Sequence, residues 1–185
     1  MRILHISKYY YPYIGGVENI CKYIVDNSGD YEVAVLCFND GRKDRIDEVD
    51  GVKVYRVGSW LNIAKQALSP TYFRMMRRVL REFNPDVIQF HWANPYPAAV
   101  LLTMIPRRVK LVVHWHMDII KQKRIYPLVK PIEKRLLKRA SLIVVTSPQY
   151  RDGSVPLQPF KSKIRIVPNA IDNQLYNEIL KDESC

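Results

Sequence analysis

The residues best suited to chemistry are three histidines and an aspartate that close two apolar runs. The segment VVHWHMDI, residues 112–119, places His114 and His116 two positions apart at the end of a predicted strand, so both side chains point to one face. Asp118 continues this alternation, and His91 closes another run, DVIQFH. Such side chains suit a polar acceptor site in which His116 contacts substrate, or a metal site of three imidazoles and a carboxylate. For His114 alone, packing in the core is the competing interpretation.

The metal interpretation lacks support from ligand spacing. No recognised metal-binding motif contains these histidines, and the three cysteines are scattered without a CxxC pair. We therefore predict no metal at this site and no disulfide framework, and a reducing cytoplasm fits the cysteine usage.

A pair of adjacent glycines forms the second candidate site. Gly15 and Gly16 lie between a tyrosine-rich loop and a helical pattern that starts at Val17. The free N–H groups of a helix amino end, together with the absent β-carbons, would let a phosphate approach the backbone. A plain turn is the alternative, and the GxGxxG fingerprint of nicotinamide sites is missing.

The chain is strongly basic. Its 185 residues carry a net charge of +11 with 48% hydrophobic residues, so it has material for a folded core and wholesale disorder is excluded. Arginines fill the polar face of a predicted helix near 73–83, and the stretch 121–139 holds eight Lys or Arg against Glu133 alone. Lys130, Lys134 and Lys138 share one helix face opposite a predicted apolar stripe of Leu128, Ile132 and Leu136. This one-signed face predicts an anionic partner.

Strand and helix patterns alternate along the chain. Short apolar runs at 2–7, 31–38, 52–57, 86–91, 109–116, 141–147 and 163–169 predict strands, with a polar loop between the second and third. Amphipathic segments between them predict helices. The order predicts an α/β fold, a doubly wound, mostly parallel Rossmann-like sheet with helices on both faces. No secretory signal or membrane-spanning run is predicted. Ligands of such sheets bind beyond the carboxyl ends of the strands, where the candidate residues lie.

Three ordered segments together resemble the N-terminal domain of the GT-B-fold retaining glycosyltransferases of family 4. These are YYYPYIGGVENI near the start, VVHWHMDI in the middle and IRIVPNAID near the end. The family pattern has a Pro-x-x-Gly-Gly-Val-Glu turn, a His-x-Asp strand end and a Val-Pro-Asn-Gly-Ile-Asp hinge. Ala170 departs from it, because the family usually has Gly there.

The resemblance implies a role for each candidate residue. His116 would line the reaction centre, and Gly15 and Gly16 would let the loop approach the donor diphosphate. The acceptor side would be formed by Glu18, His91, Asp118 and Tyr10, with Glu18 alternatively supporting the glycine turn. The co-substrate would be a nucleoside-diphosphate sugar, with no other cofactor, and the acceptor a lipid-linked or saccharide hydroxyl. Lys130, Lys134 and Lys138 would face anionic lipid, at the cytoplasmic side of a membrane, in cell-surface polysaccharide or glycolipid synthesis.

The resemblance also sets expectations for domain organisation. Residues 1–169 would form the acceptor domain and 170–185 the start of the interdomain hinge, with the donor domain and its Glu-x7-Glu motif absent. The isolated chain would then be inactive. A non-catalytic sugar- or lipid-binding module is the alternative; a metal-dependent hydrolase or a nucleic-acid-binding domain has less support, since no nucleic-acid-binding signature is present.

Overall fold

A computed structural model describes residues 1–63, 66–119 and 125–169. Apolar, β-branched runs form most of the strands. The strands are β1 Arg2–Ile6, β2 Glu32–Phe38, β3 Arg45–Val49, β4 Val52–Val57, β5 Leu61–Ile63, β6 Gln66–Leu68, β7 Val87–Trp92, β8 Lys110–Trp115, β9 Leu142–Val145 and β10 Ile164–Ile166.

Eight strands form one sheet in the order β10-β9-β8-β7-β1-β2-β4-β3, while β5 and β6 form a separate hairpin. All neighbours in the large sheet are parallel except β3, which runs antiparallel to β4 at the edge. Along the chain, β2, β3 and β4 lie on one side of β1, and the later strands β7 to β10 lie on its other side. The switch point of the sheet therefore lies between β1 and β7, where a crevice opens at the carboxyl ends of the strands.

Helices cover both faces of this sheet. They are α1 Gly16–Asp26, α2 Tyr72–Glu82, α3 Pro95–Met104, α4 Tyr126–Arg139 and α5 Pro148–Gly153, followed by a 3₁₀ segment, Val155–Lys163. On one face, α1 packs Cys21 and Val25 against Val35 and Val54 of the sheet. The larger core lies on the other face, under α2, α3 and α4. The predicted doubly wound α/β fold is confirmed.

Strand alternation separates the histidines from the larger core. Residues of β1, β7 and β8 that point into that core, such as Leu4, Phe90 and Val113, alternate with His5, His91 and His114. Because successive strand residues face opposite sides, the histidines share the face that carries α1. His91 lies opposite His114 in the pairing of β7 with β8.

Several sequence-based expectations are wrong in detail. The polar loop predicted between β2 and β4 contains β3, whose charged residues are tolerated because it is an edge strand. Leu128, predicted on the apolar stripe of the basic helix, is 74% exposed in α4. The buried stripes are instead Tyr72, Met75, Met76 and Val79 in α2, and Val129, Glu133, Leu136 and Leu137 in α4.

In the part of the chain that the structure describes, none of the helices is both long and apolar enough to traverse a bilayer. The domain boundary at 169 stays a prediction, and the hinge expected at 170–185 lies outside the described residues.

Candidate active site

A cleft of about 820 Å³ opens at the carboxyl edge of the sheet beside the switch point. His91 of β7 and residues of the loops after β7 and β8 form its floor, and α1, α3, α4 and the β5–β6 hairpin form its walls. Its lining includes Gly16, Glu18, His91, His116 and Asp118. The structure therefore brings these five candidate residues to one cleft, and their roles stay predictions.

The amino end of α1 supplies the backbone side of the cleft. Gly15 is the N-cap in extended conformation and offers no side-chain cap, and the first N–H groups of a helix have no partner within it. A β-carbon at Gly15 would collide with the Glu18 carboxylate, whereas one at Gly16 would meet nothing within 4 Å. Glu18 thus fills the space beside Gly15, which agrees with its predicted support of the turn, and an anion has room to approach at Gly16.

Neither glycine is needed for a left-handed backbone, since Gly29 and Gly51 are the glycines with positive φ among the described residues. The helix amino end carries partial positive charge and favours an anion. The open space at Gly16, rather than backbone strain, is the feature that suits phosphate.

The four histidines of the chain all belong to one cluster. Nδ1 of His91 lies 3.0 Å from Nε2 of His116, and Nε2 of His91 lies 3.3 Å from Nδ1 of His5. The ring of His114 stacks on that of His116, with centroids 4.1 Å apart. Both nitrogens of His114 are buried without a hydrogen-bond partner, so it packs in the core as the alternative interpretation expected, but without hydrogen bonds.

Burial keeps this cluster neutral, because desolvation disfavours the charged imidazole. It lowers the pKa of His5 and of His114 to about 4. Burial, and secondarily the nearby His114, lowers the pKa of His116 to about 3, and burial also holds the pKa of His91 well below its ordinary value. His116 is therefore a neutral hydrogen-bonding group at neutral pH.

The ring arrangement favours hydrogen bonding over metal ligation. Nitrogens of His91, His114 and His116 lie within 4.8 Å of one another, but a metal would need their in-plane lone pairs to converge. His114 and His116 are stacked at an angle of 26°, so their lone pairs run side by side. The facing nitrogens of His91 and His116 already share a hydrogen bond. The absence of a metal stays a prediction.

Asp118 is held from two sides. Its Oδ1 accepts hydrogen bonds from the indole Nε1 of Trp115 at 2.8 Å and from the hydroxyl of Ser154 at 2.7 Å. These bonds fix the carboxylate at the edge of the cleft. Ser154 could not be predicted from the sequence, because it lies 36 residues from Asp118 in a segment without a recognisable pattern.

Two of the predicted acceptor residues need correction. Tyr10 does not face the cleft, because its side chain is completely buried against Cys21 and Val25 under α1. The pattern YYY gave no sign of which tyrosine turns inward. His91 borders the cleft, but His5 and His116 engage both of its nitrogens, so it has no free nitrogen for an acceptor. His5 was not among the predicted site residues. A signal for it existed, because His5 lies between Leu4 and Ile6 of the larger core just as His91 lies between Phe90 and Trp92.

The loop before Gly15 is anchored from the far edge of the sheet. Arg56 of β4 is 3% exposed and pairs with Asp47 of β3, with Nε to Oδ2 at 2.6 Å. Its other nitrogens donate to the carbonyl oxygens of Tyr10 and Tyr11. Charge-assisted hydrogen bonds of this kind are the stronger ones, so Arg56 fixes the path of the loop.

One wall of the cleft is apolar and belongs to α4. Ile125, Leu128, Val129 and Ile132 line it, while Lys130, Lys134 and Lys138 are exposed. The basic stretch is not uniformly free: Nη2 of Arg139 donates to the carbonyl oxygens of Pro106 and Val109. Residues 121, 123 and 124 of the stretch lie outside the described residues.

Comparison with known proteins agrees with this fold. The family model described as Glycosyltransferase Family 4 matches residues 14–175, so the chain belongs to glycosyltransferase family 4. It is 26% identical over 175 residues to O-antigen chain mannosyltransferase C of Escherichia coli, covering 93% of this chain and 46% of that protein. It is 28% identical over 180 residues to D-rhamnosyltransferase WbpZ of Pseudomonas aeruginosa, covering 95% and 46%.

Solved structures show the same architecture. HepE of Anabaena, determined in complex with UDP and glucose, matches with a TM-score of 0.66 and 19% identity over 95% of this chain and 46% of that one. Sucrose-phosphate synthase of Thermosynechococcus elongatus matches with a TM-score of 0.66 and 14% identity, covering 94% and 49%. The chain spans about half the length of the curated relatives it matches.

Proposed function

We propose that this chain supplies the acceptor side of a glycosyltransferase that moves a sugar from a nucleoside-diphosphate sugar to a hydroxyl group, with retention of configuration. The observation that carries this proposal is one cleft bordered by both the open amino end of α1 at Gly16 and the neutral imidazole of His116. The family membership and the mannosyl- and rhamnosyltransferase relatives support it. The acceptor would be a growing cell-surface polysaccharide or glycolipid, and no further cofactor is required.

Each side of the cleft has a defined part in this reaction. Helix N–H groups at Gly16 would stabilise the negative charge that develops on the leaving diphosphate. His116 would form a hydrogen bond with a sugar hydroxyl near the reacting carbon, and Asp118, held by Trp115 and Ser154, would orient the acceptor.

The test is transfer activity after filling the space at Gly16. Gly16→Val places a branched side chain where the diphosphate must approach, while its β-carbon meets no atom of the protein within 4 Å. Transfer from UDP- or GDP-sugars by the product of the complete coding region should fall by orders of magnitude, with an unchanged far-UV circular dichroism spectrum. Gly153→Val is the matched control, because its site is also open. Unchanged turnover in Gly16→Val would refute the role of Gly16 in binding the donor diphosphate. If the wild type transferred sugar from none of the donors, the non-catalytic sugar- or lipid-binding module would be favoured instead.

We further propose that the protein works at the cytoplasmic face of an anionic membrane, with a lipid-linked acceptor. Two observations on α4 support this: its apolar side lines the cleft, and its other side exposes Lys130, Lys134 and Lys138. A basic residue near an anionic surface contributes about 1 kcal/mol. A nucleic-acid partner has no comparable support, and a gel shift with duplex or single-stranded oligonucleotides should be negative.

Liposome sedimentation tests the membrane proposal. The chain should sediment with anionic vesicles, little with neutral ones, and be released by high salt. Changing the three lysines of α4 to Glu should abolish binding, whereas the same change at the exposed Lys43, Lys53 and Lys110 should leave most of it. Equal loss in both triple variants would mean that net charge alone acts, and salt-insensitive binding to neutral vesicles would indicate apolar insertion.

A further inference from the structure

Three imidazoles form a continuous chain from the interior of the sheet to the cleft. His5 lies on β1 and is 1% exposed, His91 on β7 is 1% exposed, and His116 follows β8 at the edge of the cleft. The facing nitrogens are 3.3 Å apart in the first pair and 3.0 Å in the second. The rings of His91 and His116 have nearly parallel planes, 10° apart, with centroids at 5.2 Å. The short nitrogen distance at this separation means that they meet through their edges.

This connectivity couples the tautomers of the three rings. A neutral imidazole has one N–H and one acceptor nitrogen. If Nδ1 of His5 donates to His91, then Nδ1 of His91 must donate to His116, and the remaining proton of His116 is on its Nδ1. If Nε2 of His116 donates instead, each ring carries its proton on Nε2. Both hydrogen bonds are therefore made only when all three rings adopt the same tautomer.

The tautomer of His116 determines whether the cleft presents a hydrogen-bond donor or an acceptor to a ligand. Nε2 of His116 is engaged by His91, so Nδ1 is its remaining nitrogen. With Nδ1 protonated, it donates to a ligand oxygen; with Nε2 protonated, Nδ1 accepts from a hydroxyl. The stacked ring of His114 restricts rotation of His116. Moving a proton from His116 through His91 to His5 would leave a charge on the buried ring of His5. The three imidazoles therefore set the direction of their hydrogen bonds and do not conduct protons.

We propose that His5 and His91 are positioning residues that fix the ring orientation and the tautomer of His116, and thereby decide whether its Nδ1 donates to or accepts from the substrate hydroxyl. The contact with substrate rests on the proposed function; the coupling among the rings does not.

Nitrogen NMR of the chain labelled with ¹⁵N-histidine tests the coupling without any substrate. Four side chains give four ring spin systems, and their nitrogen shifts report the tautomer of each. At pH 7.5 we expect neutral rings at all four positions and the same tautomer, or equal fractions of the two, for His5, His91 and His116. Unequal tautomers within these three would overturn the proposal. His114, whose nitrogens have no partner, is not bound by this rule.

Variants at the buried end separate positioning from packing. His5→Phe retains a ring but removes the partner of His91, so the tautomer fractions of His91 and His116 should change. His5→Asn should restore them, since an Asn side chain can donate or accept near the place of Nδ1. His114→Phe preserves the stacked face and should leave the fractions unchanged. Amide spectra verify that each variant folds. If His5→Phe does not fold, comparison of the tautomer fractions in His5→Asn and in the wild type still tests the positioning role. Wild-type fractions at His116 in folded His5→Phe would overturn the positioning role.

Ligand addition separates this inference from the proposed function. UDP-glucose, GDP-mannose and a mannose oligosaccharide should shift the ring nitrogens of His116, with smaller matching changes at His91 and His5. If the three rings share a tautomer but no probe shifts His116, the coupling stands and the proposed substrate contact fails. If a probe shifts His116 while His91 and His5 hold a different tautomer, the coupling fails and the substrate contact stands.

Discussion

Mild acid should unfold this protein because its four histidines are neutral rings in the fold, three of them buried and His116 half-buried at the cleft. In the unfolded chain, a histidine titrates near pKa 6.5, whereas His5 and His114 titrate at about 4 and His116 at about 3 in the fold. Their depressed pKa values mean that the stability is complete above pH 6.5 and is lost as pH falls from there toward 4. Unfolding in this window takes up protons, so stability decreases with acidity.

The size of the effect follows from counting protons. At pH 5.5 each unfolded histidine binds about 0.9 proton and each folded one almost none. Each proton contributes a slope of about 1.4 kcal/mol per pH unit. Glu133, whose pKa burial raises, opposes this by less than one proton. We therefore expect a slope of about 3.5–5 kcal/mol per pH unit near pH 5.5, large beside the roughly 5–15 kcal/mol that stabilises a typical domain.

Urea denaturation at pH 7.5, 6.5, 6.0 and 5.5 measures this slope directly. His114→Phe removes one titrating ring and should lower the slope by about 1.2 kcal/mol per pH unit, whatever its effect on stability at pH 7.5. Glu48→Gln changes an exposed carboxyl group and should leave the slope unchanged. Two results would refute the account of the cluster as buried and neutral. One is a wild-type slope that corresponds to uptake of less than one proton on unfolding, and the other is an identical slope in His114→Phe.

Two further predictions concern stability. Arg139→Ala removes the donor to the carbonyl oxygens of Pro106 and Val109 and should lower the free energy of unfolding by about 1–3 kcal/mol. As a control, Arg135→Ala at an exposed position should change it by less than about 0.5 kcal/mol. Equal effects of the two substitutions would show that the Arg139 hydrogen bonds do not stabilise the fold. Asp118→Ala leaves the buried Trp115 indole N–H without its acceptor and should lower the free energy of unfolding by about 1–3 kcal/mol, whereas Ser154→Ala should lower it less. Thermal unfolding monitored by near-UV circular dichroism measures both variants, and a larger loss of stability in Ser154→Ala would contradict the prediction.

The sequence predicted most of the sheet because buried parallel strands are apolar throughout and stand out from their surroundings. The strand at 52–57 has the predicted bounds. Edge elements were missed, since β3 and the β5–β6 hairpin do not need apolar residues on both faces. The 3₁₀ segment at 155–163, which contains two prolines, shows no helical period.

The candidate site was predicted in its location and only partly in its contacts. The carboxyl ends of parallel strands lie at one edge of the sheet, so the sequence alone predicts that Gly16, His116 and Asp118 lie close together. The partners of those side chains depend on tertiary packing. Ser154 reaches Asp118 from 36 residues away, and His5 contacts His91 across 86, distances over which local pattern carries no information.

The anchoring of the loop by Arg56 makes the remote sheet edge a determinant of cleft geometry. Arg56 lies opposite Arg45 in the antiparallel pair and meets Asp47 on the same face of β3. Inserting or deleting one residue in the turn between these strands would shift the register and send Asp47 to the other face. Arg56 would then lose its carboxylate, and the loop that delivers Gly16 would lose its fixed path. In directed evolution of this scaffold, the length of the turn at 50–51 is therefore a constraint, although the turn itself is exposed and does not line the cleft.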